Sequence, residues 1–378
     1  MNRPSLLRPT LPALTTPAGE GMGSAVKTMD NGRTLYAARA VISGFLALVF
    51  CYVTLFVPLP YYIFQPGTAD DLQGMVHVQG GGYPESGRFL LTTVGVSNAT
   101  LAKMVEARFR GYEVHRQTSV RQPGESEEEY GERQHQVMLT SQSNAIQAAY
   151  RAAGIGYTIA SKGIVVLSTA VGLPAEGVLE PGDVILKADG LPVDAGSKLD
   201  ALLAGKKEGD AVRLTYKRGG VAMEASFTLR ALPTAVEGGR KLGIGIVTAD
   251  RKAVQATTQT DAVTVEAGDI GGPSAGFMFA LETYGLLLAD DLSRGYTIAG
   301  TGTIDPQGVV GAIGGARHKV SAAHQAGADI LFVPRDEQSA GEAKKQAGKL
   351  HTSMKVVEVS TLQEAIAYLE SLPPKTAG

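Results

Sequence analysis

A glycine-rich segment, Asp269-Ile-Gly-Gly-Pro-Ser-Ala-Gly276, indicates the architecture of the C-terminal part of this 378-residue chain. The apolar run FMFALETYGLLL follows it directly and has the composition of a buried helix. Small neighbours leave Ser274 accessible at a helix N-terminus, where backbone N–H groups lack partners and suit an oxyanion. Ser274 is therefore either a nucleophile, with an oxyanion hole formed by N–H groups of residues 272–274, or simply the N-cap of the helix.

A second glycine-rich segment, GAIGGARHKVSAAHQAGADILFVP, covers residues 311–334. Lys319 falls in the first turn of a predicted helix, at the positive end of its dipole, where apolar surroundings would disfavour the ammonium form. A neutral amine can act as the general base for a serine hydroxyl. The alternative is a solvent-facing lysine on an amphipathic helix.

The region around both segments, residues 236–372, alternates strand and helix patterns, which predicts an α/β domain. The predicted strands cover residues 242–247, 262–266, 296–304, 330–333 and 355–359. The predicted helices cover residues 274–288, 317–326, 339–347 and 361–372.

The combination of GGPSAG, then GGxxxK about 45 residues later, then AAHxAGAxxxxxP, resembles the proteolytic domain of the Lon family. That family cleaves peptide bonds with a Ser-Lys dyad. The resemblance implies Ser274 as the nucleophile, Lys319 as the general base, Thr301 as the residue that supports the lysine, and Gly272 as part of the oxyanion loop. Taken alone, Thr301 is equally a β-propensity residue in a strand.

The chain departs from the Lon pattern in two places. Lon proteases have an acidic residue two positions before the Pro-Ser pair, where this chain has Gly271; Asp269 and Glu266 lie nearby. No G-x-x-x-x-G-K-[ST] phosphate loop occurs, so we expect no ATPase module and no nucleotide. The whole arrangement resembles the membrane-anchored, ATP-independent Lon-like proteases of bacteria.

Residues 157–232 have the pattern of a compact β-rich module. Its predicted strands cover residues 164–168, 183–188, 212–216 and 225–229, with a helix at 197–203. The segment LEPGDVILKADG and its flanks resemble a PDZ domain. This implies a groove that accepts an extended peptide as an added strand, and the start of the first strand, residues 159–164, is the expected position. The alternative is that the module only packs against its neighbours.

Residues 40–57, AVISGFLALVFCYVTLFV, are apolar enough to span a bilayer, and Pro58 ends the run. The preceding tail carries five basic residues against two acidic ones, namely Arg3, Arg8, Lys27, Arg33 and Arg39 against Glu20 and Asp30. The positive-inside rule predicts that the tail lies in the cytoplasm, that the apolar run spans the cell membrane, and that the rest of the chain lies outside the cytoplasm. A cleaved signal peptide is the alternative, but the run exceeds a signal-peptide core and no A-x-A site follows.

The segment between the anchor and the PDZ-like module contains a predicted strand, residues 88–96, and a predicted helix. Ser126 and Glu129 form a capping-box pattern at the start of that helix, and Gly154 interrupts it. We expect a membrane-proximal α/β region here.

Composition excludes several classes of protein. Lys+Arg 35 against Asp+Glu 37 gives no basic footprint for nucleic acid. A single cysteine excludes a disulfide framework and a cysteine-based zinc site. The six histidines contain no H-E-x-x-H pair, and His318 and His324 do not share a helical face, so we expect neither metal nor cofactor.

The sequence thus predicts a multidomain α+β protein: a disordered tail (1–39), a transmembrane helix (40–58), a membrane-proximal region (59–156), a PDZ-like domain (157–233) and a Lon-type domain (236–372). We expect a serine endopeptidase acting on peptides or unfolded proteins. The sequence leaves open whether the protein forms a homo-oligomer. Two alternatives remain. One is an α/β-hydrolase using Gly272-Pro-Ser-Ala-Gly276 as G-x-S-x-G with a histidine such as His351. The other is a non-catalytic PDZ scaffold tethered to the membrane.

Overall fold

The computed structural model describes residues 21–82, 86–122, 124–232, 242–288 and 291–375. The predicted tail at residues 1–20 and the predicted domain boundary at 233–236 lie outside these ranges. The helices are α1 (Gly21–Phe56), α2 (Leu101–Arg110), α3 (Gln117–Val120), α4 (Glu127–Ala153), α5 (Gly196–Ala204), α6 (Gly276–Leu288), α7 (Ala316–Gln325), α8 (Glu337–Leu350) and α9 (Leu362–Glu370).

The strands of the first half are β1 (Tyr61–Asp71), β2 (Val76–Val78), β3 (Arg88–Asn98), β4 (Glu113–Arg116), β5 (Tyr157–Thr169), β6 (Val184–Ala188), β7 (Leu191–Pro192), β8 (Ala211–Arg218) and β9 (Val221–Thr228). Those of the second half are β10 (Arg230–Ala231), β11 (Leu242–Gly243), β12 (Ile246–Ala256), β13 (Val263–Val265), β14 (Thr297–Gly300), β15 (Thr303–Ile304), β16 (Val310–Gly311), β17 (Ile330–Pro334) and β18 (Lys355–Val359).

Helix α1 begins well before the apolar run. Its start at Gly21 makes the prediction of a disordered tail up to residue 39 wrong from that point on. No proline lies between Pro17 and Pro58, so nothing in the sequence breaks the backbone hydrogen bonding upstream of the apolar run. Within α1, Tyr36–Phe56 has a mean hydropathy of 2.0 and is long and apolar enough to cross a membrane.

One of two six-stranded sheets, called the large sheet below, has the strand order β18-β17-β14-β3-β1-β4. Strands β18, β17, β14 and β3 run parallel to one another, whereas β1 is antiparallel to both β3 and β4. The parallel part alternates with helices α7, α8 and α9, which confirms the predicted strand–helix alternation of the C-terminal region. Parallel strands require such crossover connections.

The membrane-proximal segment belongs to this same sheet. Phe89 of β3 pairs with Ile298 of β14, and Leu91 pairs with Gly300. Helix α4, from the same segment, packs against α6. The predicted region 59–156 is therefore part of the fold that contains residues 276–370 and does not form a separate layer. Pairing between strands about 200 residues apart leaves no local sequence signal, which is why sequence analysis separated the two segments.

Both ends of helix α4 have the signals that the sequence predicted. The Ser126 side chain accepts from Glu129 N while Glu129 returns a hydrogen bond to Ser126 N, which confirms the capping box. Gly154 closes the helix with φ 70°, a left-handed conformation that glycine adopts without strain.

The β-rich module forms a second sheet with the order β12-β5-β6-β8-β9, and β7 pairs with β6. Four of its strands and helix α5 lie where they were predicted. One of its two edge strands, β12, comes from beyond the predicted module. Tyr157 at the start of β5 pairs with Ala256 at the end of β12, so the chain enters and leaves the module at neighbouring positions.

Strand β12 covers one side of the expected peptide groove. Ile159 pairs with Val254 and Ile164 pairs with Asp250. On the other side of β5, the pairing with β6 involves Ile164 and Val165. The groove expected at residues 159–164 therefore stays a prediction, and the two edge strands of this sheet among the described residues are β12 and β9.

Helix α6 lies in the main core between α4 and the large sheet. Apolar residues occur on nearly every face of α6, as is typical of a helix that neighbouring elements cover on several sides. Phe277 and Leu281 are fully buried, and the Phe277 ring packs edge-on against Phe332 of β17, with ring centroids 5.9 Å apart. The same helix ends at Leu288, which is 46% exposed.

Leu281→Ala should lower the free energy of unfolding by about 2–5 kcal/mol, because the substitution leaves a cavity in the core around α6. Leu288→Ala, on the same helix, should cost less than about 1 kcal/mol because its side chain is partly solvated. Denaturant unfolding of the detergent-solubilised protein measures both. Equal losses for the two variants would contradict the assignment of this core.

Candidate active site

Ser274 lies in the loop between β13 and α6. The loop leaves β13 after Val265, and helix α6 begins at Gly276, so no strand runs directly into the serine. A nucleophile elbow requires such a strand, so this geometry argues against the α/β-hydrolase alternative. Gly272 has φ +87°, a conformation that side chains rarely adopt, and this allows the chain to turn into Pro273.

Lys319 lies in the first turn of α7 and is 3% exposed. Its Nζ lies 2.6 Å from Ser274 Oγ and 2.7 Å from Thr301 Oγ1. Within the described part of the chain, no acidic side chain forms an ion pair with it. Burial lowers the pKa of Lys319 from its ordinary value of 10.5 to about 7, because the charged ammonium loses hydration that no counter-charge replaces.

Thr301 follows β14 directly and is 1% exposed. Its hydroxyl donates to the carbonyl oxygen of Ser274 at 3.2 Å, so its oxygen is left to accept from Lys319 Nζ. Gly302 N also donates to the Ser274 carbonyl, at 2.9 Å. The segment after β14 therefore fixes both the backbone of the serine and the direction of the lysine amine.

The structure reduces the number of backbone N–H groups that could form the predicted oxyanion hole. Gly272 N donates to Gln134 O at 3.1 Å, and Pro273 has no N–H. Of residues 272–274, Ser274 alone keeps a backbone N–H that has no hydrogen-bond partner among the described residues. The presence of glycine at position 272 is accordingly explained by its backbone conformation. The free donor beside the Ser274 hydroxyl is the backbone N–H of Ser274 itself.

Both side chains of the Ser274–Lys319 pair open into a cleft of about 810 Å³. One wall is β3, with Leu91, Thr92, Thr93 and Val94, and another is the loop before Ser274. Asp269 lines this cleft, whereas Glu266 does not. Of the two acidic residues near Gly271, Asp269 is therefore the one that the loop brings to the cleft.

Helix α4 holds the loop before Ser274 through a side-chain hydrogen bond. This contact was not identified from the sequence. Ser141 Oγ donates to Pro273 O at 2.8 Å, and Asn144 Nδ2 donates to Ile304 O at 3.1 Å. Ser141 is 3% exposed on a helix face that otherwise buries residues such as Met138 and Ala145. A small polar residue on an apolar helix face was the available signal, but its partner lies 132 residues away.

A charged cluster on β4 supports the first turn of α7. Glu113 accepts from Arg317 Nε at 2.5 Å and lies 3.7 Å from His318 Nε2. His318 is buried, and burial lowers the pKa of its imidazole. These contacts tie the residues just before Lys319 to the large sheet. Among the described residues, no group of three or more His, Cys, Asp or Glu side chains could hold a metal ion.

Two family models match the chain. The PDZ domain model matches residues 152–229, and the model of the Lon protease (S16) C-terminal proteolytic domain matches residues 220–370. Ser274, Thr301 and Lys319 lie within the second match. Strands β1, β3 and β4 and nearly all of α4 precede both matches. No curated protein matches the chain.

Solved structures similar to the chain include two PDZ domains from Listeria and a protein from Geobacillus. The PDZ domain of an SdrC-like protein from Listeria monocytogenes is 31% identical, covering 24% of this chain and 92% of that domain, with a TM-score of 0.22. Its counterpart from Listeria innocua is 36% identical, with 23% and 93% coverage and a TM-score of 0.21. A protein from Geobacillus thermodenitrificans is 32% identical, with 23% and 95% coverage and a TM-score of 0.21.

The two matched domains lie in one chain, in the order PDZ and then Lon-type. The chain therefore contains a PDZ domain followed by a Lon protease (S16) C-terminal proteolytic domain, and these two domains support a Lon-like serine protease.

Proposed function

We propose that this protein is a membrane-anchored endopeptidase that cleaves peptides or unfolded proteins outside the cytoplasm, without ATP, by a dyad of Ser274 and Lys319. The observation that carries the proposal is the buried Lys319 amine, with its Nζ 2.6 Å from Ser274 Oγ and 2.7 Å from Thr301 Oγ1. A serine nucleophile needs a neutral base within hydrogen-bonding distance, and burial provides such a base near neutral pH.

The hydrogen bonds around Lys319 give the proton path a direction. A neutral amine has two N–H groups and one lone pair. One N–H is directed to Thr301 Oγ1, since the hydroxyl proton of Thr301 is donated to the Ser274 carbonyl. The lone pair then faces Ser274 Oγ and takes its proton as Oγ attacks the scissile carbonyl.

The remaining steps follow the usual two halves of acyl transfer. The Ser274 N–H stabilises the oxyanion of the tetrahedral intermediate. The Lys319 ammonium then protonates the leaving amine, which breaks the C–N bond and leaves an acyl-enzyme on Ser274. Water attacks the ester, with Lys319 again accepting a proton. The bond between the acyl carbon and Ser274 Oγ then breaks as Lys319 returns that proton to Oγ, and the second product leaves as a carboxylic acid.

The flanking parts of the chain support the location and the substrate class. Tyr36–Phe56 is long and apolar enough to cross a bilayer, and the basic residues before it favour a cytoplasmic N-terminus. Since the sequence contains no phosphate loop, substrates must be short, unfolded or exposed when they reach the cleft. The PDZ module would recruit or orient an extended peptide, and the start of β5, residues 159–164, is the position expected from the sequence.

Ser274→Ala and Lys319→Ala should each lower cleavage of a chemically unfolded protein by roughly 10³-fold or more, because each removes a group that acts in the chemical step. Lys345→Ala and Ser371→Ala, both at exposed positions, are the matched controls and should keep full activity. The measurement uses the purified full-length protein in detergent, without ATP. Full activity of Ser274→Ala would refute the dyad, and loss with Ser274→Ala alone would point to a different base.

In cells, proteomics of extracellular peptides tests on which side of the membrane the protease acts. Neo-N-termini that are present with the wild type and absent with both Ser274→Ala and Lys319→Ala would identify the substrates. Substrates found exclusively in the cytoplasm would contradict the proposed orientation.

The pH dependence should follow the Lys319 amine. Because its neutral form is the base, kcat/KM should rise as the pH passes about 7 and level off above it. Between about 7 and 10.5 the unfolded chain binds one more proton at this residue than the native chain, so the free energy of unfolding should also rise with pH in that window. Lys319→Met should reduce this slope. A kcat/KM that rises only near pH 10 would contradict the lowered pKa.

Ser141→Ala should lower kcat by up to about 10-fold with little change in KM, because the Pro273 carbonyl loses the donor that holds the serine loop. Ser143→Ala, two residues along the same helix, should have little effect. Steady-state kinetics on a peptide substrate distinguish the two, and an equal loss for both variants would assign the effect to the helix as a whole.

A further inference from the structure

Helix α2 has an apolar face that the described protein leaves uncovered. Leu101, Val105 and Phe109 are spaced four residues apart, which places them within one quadrant of the helix. Their exposed fractions are 44%, 58% and 86%. Ala107, which lies on another face, is fully buried. The helix is therefore apolar on two faces, and one of them is in solvent.

The connectivity places α2 next to the point where the chain leaves the apolar helix. Helix α1 ends at Phe56 and β1 begins at Tyr61. Ala99 N donates to Tyr61 O at 2.9 Å, and α2 begins two residues after Ala99. Short covalent segments on both sides of this hydrogen bond thus tie the first turn of α2 to the end of the proposed anchor.

The charge of α2 suits an anionic surface. The helix contains three basic residues and one acidic residue, namely Lys103, Arg108 and Arg110 against Glu106. An amphipathic helix with a basic polar side and exposed leucine, valine and phenylalanine is typical of segments that lie in the interface of an anionic bilayer.

We propose that α2 is a second membrane contact, in which Leu101, Val105 and Phe109 insert into the surface of the anionic bilayer that α1 crosses. This inference rests on the anchoring part of the proposed function. The contact would hold the protease at a fixed height and orientation above the membrane, since two separate points of attachment restrict the rotation that a single helix would allow.

The sequence offers a clean reporter for this contact, because the chain contains no tryptophan. The full-length Phe109→Trp protein is reconstituted into vesicles of phosphatidylglycerol and phosphatidylcholine, with and without brominated acyl chains. We expect a blue-shifted emission that brominated lipid quenches. Val171→Trp is the matched control, since Val171 is 88% exposed in the PDZ module, and its emission should stay red-shifted and unquenched.

Adding Leu101→Glu and Val105→Glu to Phe109→Trp should abolish the quenching, because two charges then oppose insertion of the face. Vesicle flotation and proteolysis are measured on the same samples. A protein that floats and cleaves substrate but shows no quenching of Phe109→Trp would overturn the α2 contact while leaving the anchor intact. A protein that fails to float would overturn the anchor itself. A blue shift that bromine does not quench, and that fades as the protein is diluted in the bilayer, would assign the face to a second copy of the chain and overturn the proposal.

Discussion

The structure of the site depends on a primary amine, that of Lys319, which is buried with no counter-charge beside it in the part of the chain that the structure describes. Burial alone lowers the pKa of Lys319, and a carboxylate beside it would have the opposite effect, because it would stabilise the ammonium. The groups in contact with Nζ are accordingly two hydroxyls, those of Ser274 and Thr301. The burial comes from α7, whose next residue, Val320, is fully buried in a core cluster with residues of β3, β14 and β17. Hydrophobic packing of one helix thus sets the protonation state of the lysine that it carries.

The position of the serine depends on two segments that lie far apart in the sequence. Helix α4 holds the loop through the Ser141–Pro273 hydrogen bond, and the segment after β14 holds the Ser274 carbonyl through Gly302. Both supports belong to the fold built around the large sheet, although α4 precedes the PDZ module and β14 follows it. The protease fold is therefore formed by both flanks of the module.

The local features of this structure could be read from the sequence, and the long-range ones could not. The capping box of α4 and the strand–helix alternation after residue 276 depend on neighbouring residues, so composition and spacing identify them. The Ser274–Lys319 pair was identified through its resemblance to a family, because either residue alone fits an ordinary helix start. The pairing of β3 with β14, the edge position of β12 and the role of Ser141 depend on contacts between distant segments, for which periodicity gives no signal.

The pairing of Tyr157 with Ala256 has a consequence for how the chain folds. Strand β3 must find β14 about 200 residues later, and closing so long a loop is entropically costly and slow. Most of the PDZ sheet, from β5 to β9, forms from strands that are close in sequence, so it can assemble first. Once β12 joins it, the two ends of the inserted segment lie side by side, and the remaining search covers a far shorter effective loop. The module for which we propose a role in substrate binding would in this way also assist folding, because it brings together the two halves of the protease fold before they form their common sheet.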